Sequence, residues 1–334
     1  MAQSFDNSRR RFGAAALAAG TIGLASPVAR AQSYPSRPIK IIVPFGPGGA
    51  AQNLSERVGR EIANELGQPF IPDYRGGAAG LIAAEAVAKA DPDGYTLLLG
   101  VPSAMSVAPT IMRSATKFDP MTAFLPISML ATTPFVLFVN ANVPAQDFPA
   151  LIAHAKANPG KLNFGSIGAN GTDYIAGDVL QKATGTRMTN IPYKSVSALL
   201  LDAVAGRVDV AILSPIPIRQ FVDQGKLRIL AVTSSQRSPA PSLKDVPTVA
   251  EQGVPGYEIL SWYGYFAPAG TPAEVVTRVN AATQRAVAKP DIQSYLLSQG
   301  LSPLQLSPAQ FKDYYEADSR RWVKFIRDAN IPIE

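Results

Sequence analysis

The residue types that carry most enzyme chemistry are scarce in this 334-residue chain, which has no cysteine and a single histidine, His154. Without cysteine there are no disulfides, thiol nucleophiles, thiolate metal sites or lipid-modified N-terminal cysteine. One histidine gives no basis for a transition-metal site. His154 falls in a helical run with Leu151, Ile152 and Ala155 and reads as a surface or half-buried structural imidazole. Gly165-Ser166-Ile167-Gly168 resembles a nucleophile elbow, but the G-x-S-x-G pattern needs glycine where Phe164 stands. No catalytic residue is assigned on these grounds, and no transition-metal site is expected.

Two glycine-rich strand-to-helix turns carry the informative chemistry. Phe45-Gly46-Pro47-Gly48-Gly49-Ala50-Ala51-Gln52 follows a β-branched run and opens a helix. Small residues there let backbone N–H groups turn toward an anion, and the helix dipole favours negative charge at that end. Gly165-Ser166-Ile167-Gly168-Ala169-Asn170-Gly171-Thr172 repeats the arrangement in the second half of the chain. Neither fits a phosphate-binding pattern, G-x-G-x-x-G or G-x-x-x-x-G-K-[ST]. Each alone is also compatible with an ordinary tight turn. As a pair, one from each half, they suit a clamp that holds a carboxylate between two lobes.

The elements that position these turns alternate regularly. Ile39–Val43, Phe70–Tyr74 and Tyr95–Leu99 read as strands, with helices over 53–66 and 79–89 between them. A proline-rich break spans 117–145, with Phe135–Val139 as a buried strand inside it. A second block then sets helices over 149–157, 174–183, 196–205 and 216–224 against strands over 162–166, 189–193, 208–213 and 227–233. The polar stretch 234–246 is read as a return crossing. After the aromatic segment Ile259–Ala267, helices over 272–288 and 308–328 are expected to pack on the first lobe. This order predicts βαβ units in mainly parallel sheets, two crossovers and a ligand cleft beyond the carboxyl ends of the strands.

The N-terminus reads as an export signal. Ser8-Arg9-Arg10-Arg11-Phe12 precedes an uncharged stretch from Gly13 to Val28, and Ala29-Arg30-Ala31 suits cleavage before Gln32. Removing residues 1–31 takes away four arginines and Asp6 and lowers the net charge from +6 to +3. A chain this mildly basic, with no later Lys/Arg run, lacks the footprint of a nucleic-acid binder. The remainder is long enough for two domains, taken as lobe 1 over 32–134 plus 238–334 and lobe 2 over 135–237.

Across the whole mature chain the sequence resembles the Bug family, extracytoplasmic receptors of tripartite tricarboxylate transporters. The likeness is carried by Tyr34-Pro35-Ser36-Arg37-Pro38-Ile39-Lys40, Ala90-Asp91-Pro92-Asp93-Gly94-Tyr95-Thr96-Leu97, Ala157-Asn158-Pro159-Gly160-Lys161-Leu162-Asn163, Ile191-Pro192-Tyr193-Lys194, Asp245-Val246-Pro247-Thr248-Val249-Ala250-Glu251 and Phe266-Ala267-Pro268-Ala269-Gly270-Thr271-Pro272. The resemblance implies an α/β, two-lobed, periplasmic-binding-protein-like fold of type II, the Venus-flytrap clamp. It further implies a periplasmic location, no cofactor, and a small carboxylate held by the loops at 46–52 and 165–172. The expected partners are that ligand and the membrane subunits of the transporter, with the receptor acting as a monomer. Tyr193, Lys194, Ser214 and Ser103, at further strand ends on the same side, join the candidate site.

Relatives often carry Asp at Gln52 and Ser214 and His near Met105 and Tyr174. The pocket is therefore expected to have shed acidic groups and to favour a dicarboxylate or aromatic carboxylate, with Met105, Tyr174 and Tyr193 as apolar wall. The alternatives are an exported hydrolase or isomerase on a similar fold, for which no base is identified, and a ligand sensor that reports to a membrane receptor.

Overall fold

The computed structural model describes residues 34–46, 50–167, 171–328 and 330–333. The export-signal reading, the cleavage point and loop residues Pro47, Gly48, Gly49, Gly168, Ala169 and Asn170 lie outside the described residues.

In chain order the first half reads β1 (Ile39–Val43), α1 (Ala50–Asn53), α2 (Gly59–Leu66), β2 (Phe70–Tyr74), α3 (Leu81–Ala88), β3 (Thr96–Gly100), α4 (Ala108–Ile111), β4 (Phe124–Pro134) and β5 (Val136–Asn140). The second block follows as α5 (Phe148–Ala157), β6 (Asn163–Ile167), α6 (Thr172–Thr184), β7 (Thr189–Tyr193), α7 (Val196–Val204), β8 (Val210–Leu213), α8 (Arg219–Asp223) and β9 (Leu227–Val232). The chain ends with β10 (Leu260–Pro268), α9 (Ala273–Ala288), α10 (Pro290–Ser298), β11 (Ser302–Pro303) and α11 (Pro308–Asp328). Single π-helical turns over Leu54–Val58 and Ser103–Val107 lead into α2 and α4. Side-chain caps start three of the helices: Asp147 accepts from the Ala150 N–H at 2.8 Å, Ser195 from the Ala198 N–H at 3.2 Å, and Ser307 from the Gln310 N–H at 3.3 Å.

The strands form two sheets, ordered β11-β4-β10-β3-β1-β2 and β7-β6-β8-β5-β9. β1 shows why it sits inside its sheet: Ile39, Ile41, Ile42 and Val43 are buried and Lys40 alone faces out, the near-continuous apolar run of a strand covered on both faces. It pairs in parallel with β2 and β3, as β6 does with β7 and β8.

The expectation of mainly parallel sheets needs correction. β10 is antiparallel to β3 and β4, and β5 is antiparallel to β8 and β9. Both are strands that the chain enters by crossing from the other sheet. They arrive without a preceding crossover helix, and that helix is what enforces parallel pairing in a βαβ unit.

An aromatic core fills the space between β10 and α11. Trp262 meets Phe311 edge-on with centroids 5.9 Å apart, and Phe266 lies 5.0 Å from Phe311 and 5.3 Å from Tyr315. Such pairs contribute about 0.5–1.5 kcal/mol each beyond burial. The Trp262 indole N–H donates to Asp318 at 2.7 Å; Arg321 donates to Asp318 at 2.6 Å and to Glu258 at 2.7 Å. This satisfies a carboxylate that is otherwise buried.

α9 packs on the first sheet as expected, but α11 does not keep to one lobe. Its Phe311 and Tyr315 belong to the aromatic core, while Trp322 and Ile326 join the core of the second sheet with Phe148, Phe164, Ile175 and Tyr257. The apolar stripe of a 21-residue helix is long enough to serve both sheets.

Gly264, on β10, is where this packing is least forgiving. A β-carbon there would lie 2.3 Å from Phe311 Cζ and 3.1 Å from the Ser128 carbonyl oxygen. Gly264→Ala is expected to destabilise the fold by about 1–3 kcal/mol, read as a lower urea midpoint at unchanged slope. An unchanged midpoint would show that Phe311 can swing aside freely.

Candidate functional site

A cavity of about 670 Å³ lies between the two sheets. Its wall is built at strand ends. Phe45 follows β1; Val101, Pro102 and Ser103 follow β3; Ile167 ends β6; Tyr193 and Lys194 lie at the end of β7; Leu213 and Ser214 lie at the end of β8. Phe135, between β4 and β5, and Ser261 and Tyr263 of β10 close it near the crossings, and Ala108, Ile111 and Met112 add apolar surface from α4 and just beyond it. Ligands of open α/β sheets sit at this position.

Of the described candidate residues, Phe45, Ser103, Ile167, Thr172, Tyr193, Lys194 and Ser214 line the cavity. Gly46, Ala50, Ala51, Gln52 and Ser166 do not. Ala50 and Ala51 are buried in the first turn of α1; Ser166 is fully buried within β6; the Gln52 amide donates to Glu56 Oε1 at 2.8 Å. Met105 is buried away from the cavity, under the Tyr315 hydroxyl that donates to its carbonyl. Tyr174 packs against the second core. Of the three side chains expected as apolar wall, only Tyr193 therefore serves.

The wall also contains residues that the sequence reading passed over. Ala78 and Ala79 line it in left-handed backbone, with φ of 46° and 54°, between Gly77 and Gly80, whose φ is also positive. Two alanines in that region store strain, which a fold retains where the surroundings fix the turn. Asp173 is the more consequential addition. It lines the cavity although only 6% exposed, and its carboxylate accepts from the Ile167 N–H at 2.5 Å. Burial pushes its carboxyl up to about 7, against the pull of N–H groups from Ile167, Tyr174 and its own backbone. The expected acid-free pocket is thereby corrected: Gln52 stands outside the cavity, and an acid stands in its wall at a position left between the loop read over 165–172 and the helix read over 174–183.

Polar capacity in the cavity is divided unevenly. The Tyr193 hydroxyl is committed to Asp202 at 2.8 Å, and Asp202 pairs with Arg207 at 2.8 Å. Burial and the Asp202 carboxylate push the Tyr193 phenol up to about 12, so Tyr193 offers the cavity its ring. The buried Ser103 and Ser214 hydroxyl oxygens, one from each sheet, have no hydrogen-bond partner among the described residues. Lys194 is the one cation in the described wall, and it is exposed at the rim. No cluster of metal-ligating side chains occurs among the described residues, and His154 lies away from the cavity in the last turn of α5.

Two α/β lobes with a cavity at facing strand ends define a solute-binding clamp. The comparisons identify which kind. Residues 55–331 match the model of the tripartite tricarboxylate transporter family receptor, and the chain belongs to that family. It is 37% identical over 298 residues to the UPF0065 protein in the tcbD-tcbE intergenic region of Pseudomonas sp. (strain P51), covering 89% of this chain and 88% of that one. BugT of Bordetella pertussis is 31% identical, with 94% of this chain and 95% of BugT covered. A solved R. palustris protein with adipate superposes with a TM-score of 0.82 at 33% identity, over 90% of this chain and all of that one. The two-lobed fold expected from the sequence is the fold of these receptors.

Asp173 makes a stability prediction. Its folded-state value, about 7, lies above the ordinary 3.8, so between those values the native state holds a proton that the unfolded state has lost. Stability should therefore fall as pH rises from about 4 to 7 and then level off, by up to about 4 kcal/mol from this group. In Asp173→Asn that component should vanish, measured by urea unfolding at pH 5 and pH 8. A wild-type and variant difference that is the same at both pH values would refute the burial effect.

Proposed function

We propose that the chain is a periplasmic receptor that captures a small organic carboxylate with an apolar body and presents it to the membrane subunits of a tripartite transporter, without turning it over. The observation that carries this reading is the cavity. Its wall is largely apolar, yet it holds two unpartnered serine hydroxyls, one from each sheet, and a lysine at the rim. An apolar body satisfied by a few convergent polar groups is the pattern of a small-molecule site, and donors from both sides reward closure only when a ligand bridges them. The bound adipate of the R. palustris relative supports the carboxylate class.

Capture works by differential affinity. A ligand that touches the side of the first sheet through Ser103 and the side of the second through Ser214 and Lys194 stabilises the closed arrangement over the open one. The transporter then recognises the closed receptor. Arg9 and Arg10 support export by the twin-arginine route.

Two outcomes test the proposal. A thermal-shift screen of aliphatic and aromatic carboxylates should raise the melting temperature of the wild type with at least one compound. Ser103→Ala and Ser214→Ala should each weaken that compound about fivefold, the equivalent of about 1 kcal/mol for one hydrogen bond. Steady product formation that survives repurification and tracks cavity substitutions would show an enzyme instead. For the route, Arg9→Lys combined with Arg10→Lys should leave precursor in the cytoplasm, because the twin-arginine receptor reads the guanidinium pair; unchanged export in cell fractionation would assign the general secretory pathway.

A further inference from the structure

We infer that Phe135 is a specificity-determining residue: it is both the whole link between β4 and β5 and part of the cavity floor, so closure seats a ligand's apolar body against the hinge itself and selects for the length of that body. The inference rests on the reading of this cavity as the ligand site of a closing clamp.

Phe135 is placed by its backbone. Its N–H donates to the Thr233 hydroxyl at 2.9 Å, and its carbonyl accepts from the Thr233 N–H at 3.0 Å. Thr233 directly follows β9, which pairs with β5 from Val136↔Val232 onward. These bonds therefore extend the β5–β9 edge by one residue and hold Phe135 to the second sheet. They also occupy both of its backbone polar groups. Pro134 and Val136 on either side are buried, whereas Phe135 is half-buried; it lines the cavity while packing on the second core. With its backbone engaged in the joint, the surface it gives the cavity is its ring.

The rest of the floor belongs to the first sheet. Ser261 and Tyr263 line the cavity from β10, opposite Thr133 and Ala131 of β4. The floor is thus divided between the sheets, and on the outgoing crossing the division runs between Pro134 and Phe135. Proline fixes φ at position 134, so a rotation of one sheet against the other falls on the torsions between Pro134 and Phe135. Such a rotation re-aims the Phe135 ring against Ser261 and Tyr263. An apolar body lying on the floor touches both halves. A body of matching length is covered by both as the clamp closes. A longer one props the halves apart, and a shorter one leaves apolar surface uncovered, at about fourfold in affinity per methylene. Phe135 in this way reads the apolar end of the ligand, whereas the Ser103 and Ser214 hydroxyls serve its polar end.

The test is calorimetry on the mature chain with three graded series: even-numbered monocarboxylates from butanoate to decanoate, the matching dicarboxylates from succinate to sebacate, and 4-alkylbenzoates from methyl to butyl. Phe135→Ala removes the ring and leaves the backbone bonds of the joint in place. It should move the preference to longer bodies, improving members above the wild-type optimum at least about tenfold relative to those below it. Phe135→Leu keeps apolar packing on the second core and should shift the profile the same way by about threefold, and Phe135→Trp should shift it toward shorter bodies. A residue that only packs the core would weaken every member by one factor. A length profile unmoved by all three variants overturns the inference and leaves the carboxylate reading standing. Small-angle scattering gives a second readout: the wild type should contract with its preferred member, and Phe135→Ala saturated with the same compound should contract less. Equal contraction would show that the ring fills space without a hold on closure, which also overturns the inference. If no member of any series binds the wild type, the carboxylate reading and the inference fall together.

Discussion

The structure depends on a joint where three chain segments meet as the chain crosses between the sheets, the outgoing crossing having almost no slack. β4 ends at Pro134 and β5 begins at Val136, leaving Phe135 as the whole connection. Thr233, just past β9, lies beside it. The Thr233 N–H donates to the Phe135 carbonyl at 3.0 Å, the Phe135 N–H donates to the Thr233 hydroxyl at 2.9 Å, and that hydroxyl donates to the Ile259 carbonyl at 2.5 Å. The Ile259 N–H returns to the Thr233 carbonyl at 2.9 Å, just before β10 begins. One buried hydroxyl thus ties the outgoing crossing to the returning one. Because such a group is satisfied only when the three segments keep their places, the sheets share a fixed edge. The strand ends that face each other across the cavity are set by that edge.

Given the joint, the character of the cavity follows from which residues stand at the strand ends. Its floor near the crossings is Phe135, Ser261 and Tyr263, residues of the joint itself or of the strand that leaves it. The polar groups are placed farther out, on the ends of β3, β7 and β8. Tyr193 shows how the fold withholds a polar group from the ligand: its hydroxyl is drawn to Asp202 on α7, and Arg207 and then Tyr193 itself lower that carboxylate's pKa by hydrogen bonding to it. Asp173 shows the converse, a charged residue type placed in the wall and turned back onto its own backbone.

The alternation of strands and helices was legible because each β-branched run is short and bounded by glycine, proline or a capping residue; β2, β7 and α11 occur over the residues the pattern names. β4 was hidden because Pro126 and Pro134 read as breakers. In the structure Pro134 ends the strand, and Pro126 sits where its register against β10 shifts, between Tyr265 and Phe266, so neither removes a regular ladder bond. α10 went unread for a similar reason: Pro290 opens it and seemed to close the helix before it. In the site, strand-end residues were found by position, since Ser103, Tyr193, Lys194 and Ser214 each follow or end a strand. Ala78, Ala79 and Asp173 were not. Positive φ at alanine has no sequence signature, and an aspartate in a first helical turn is too common to mark a binding wall.

α11 adds a constraint on how far the lobes can move. Its Tyr315 hydroxyl donates to the carbonyls of Met105 and Pro120 on the side of the first sheet, and seven residues on, Trp322 is buried in the core of the second. A rigid helix anchored at both places cannot follow a wide hinge opening without losing one contact. Closure of the proposed clamp about the Thr233 joint would then have to be accompanied by a small slide of α11 across the second core, a shear of packed side chains added to the hinge. The joint fixes the axis, and the helix sets the range.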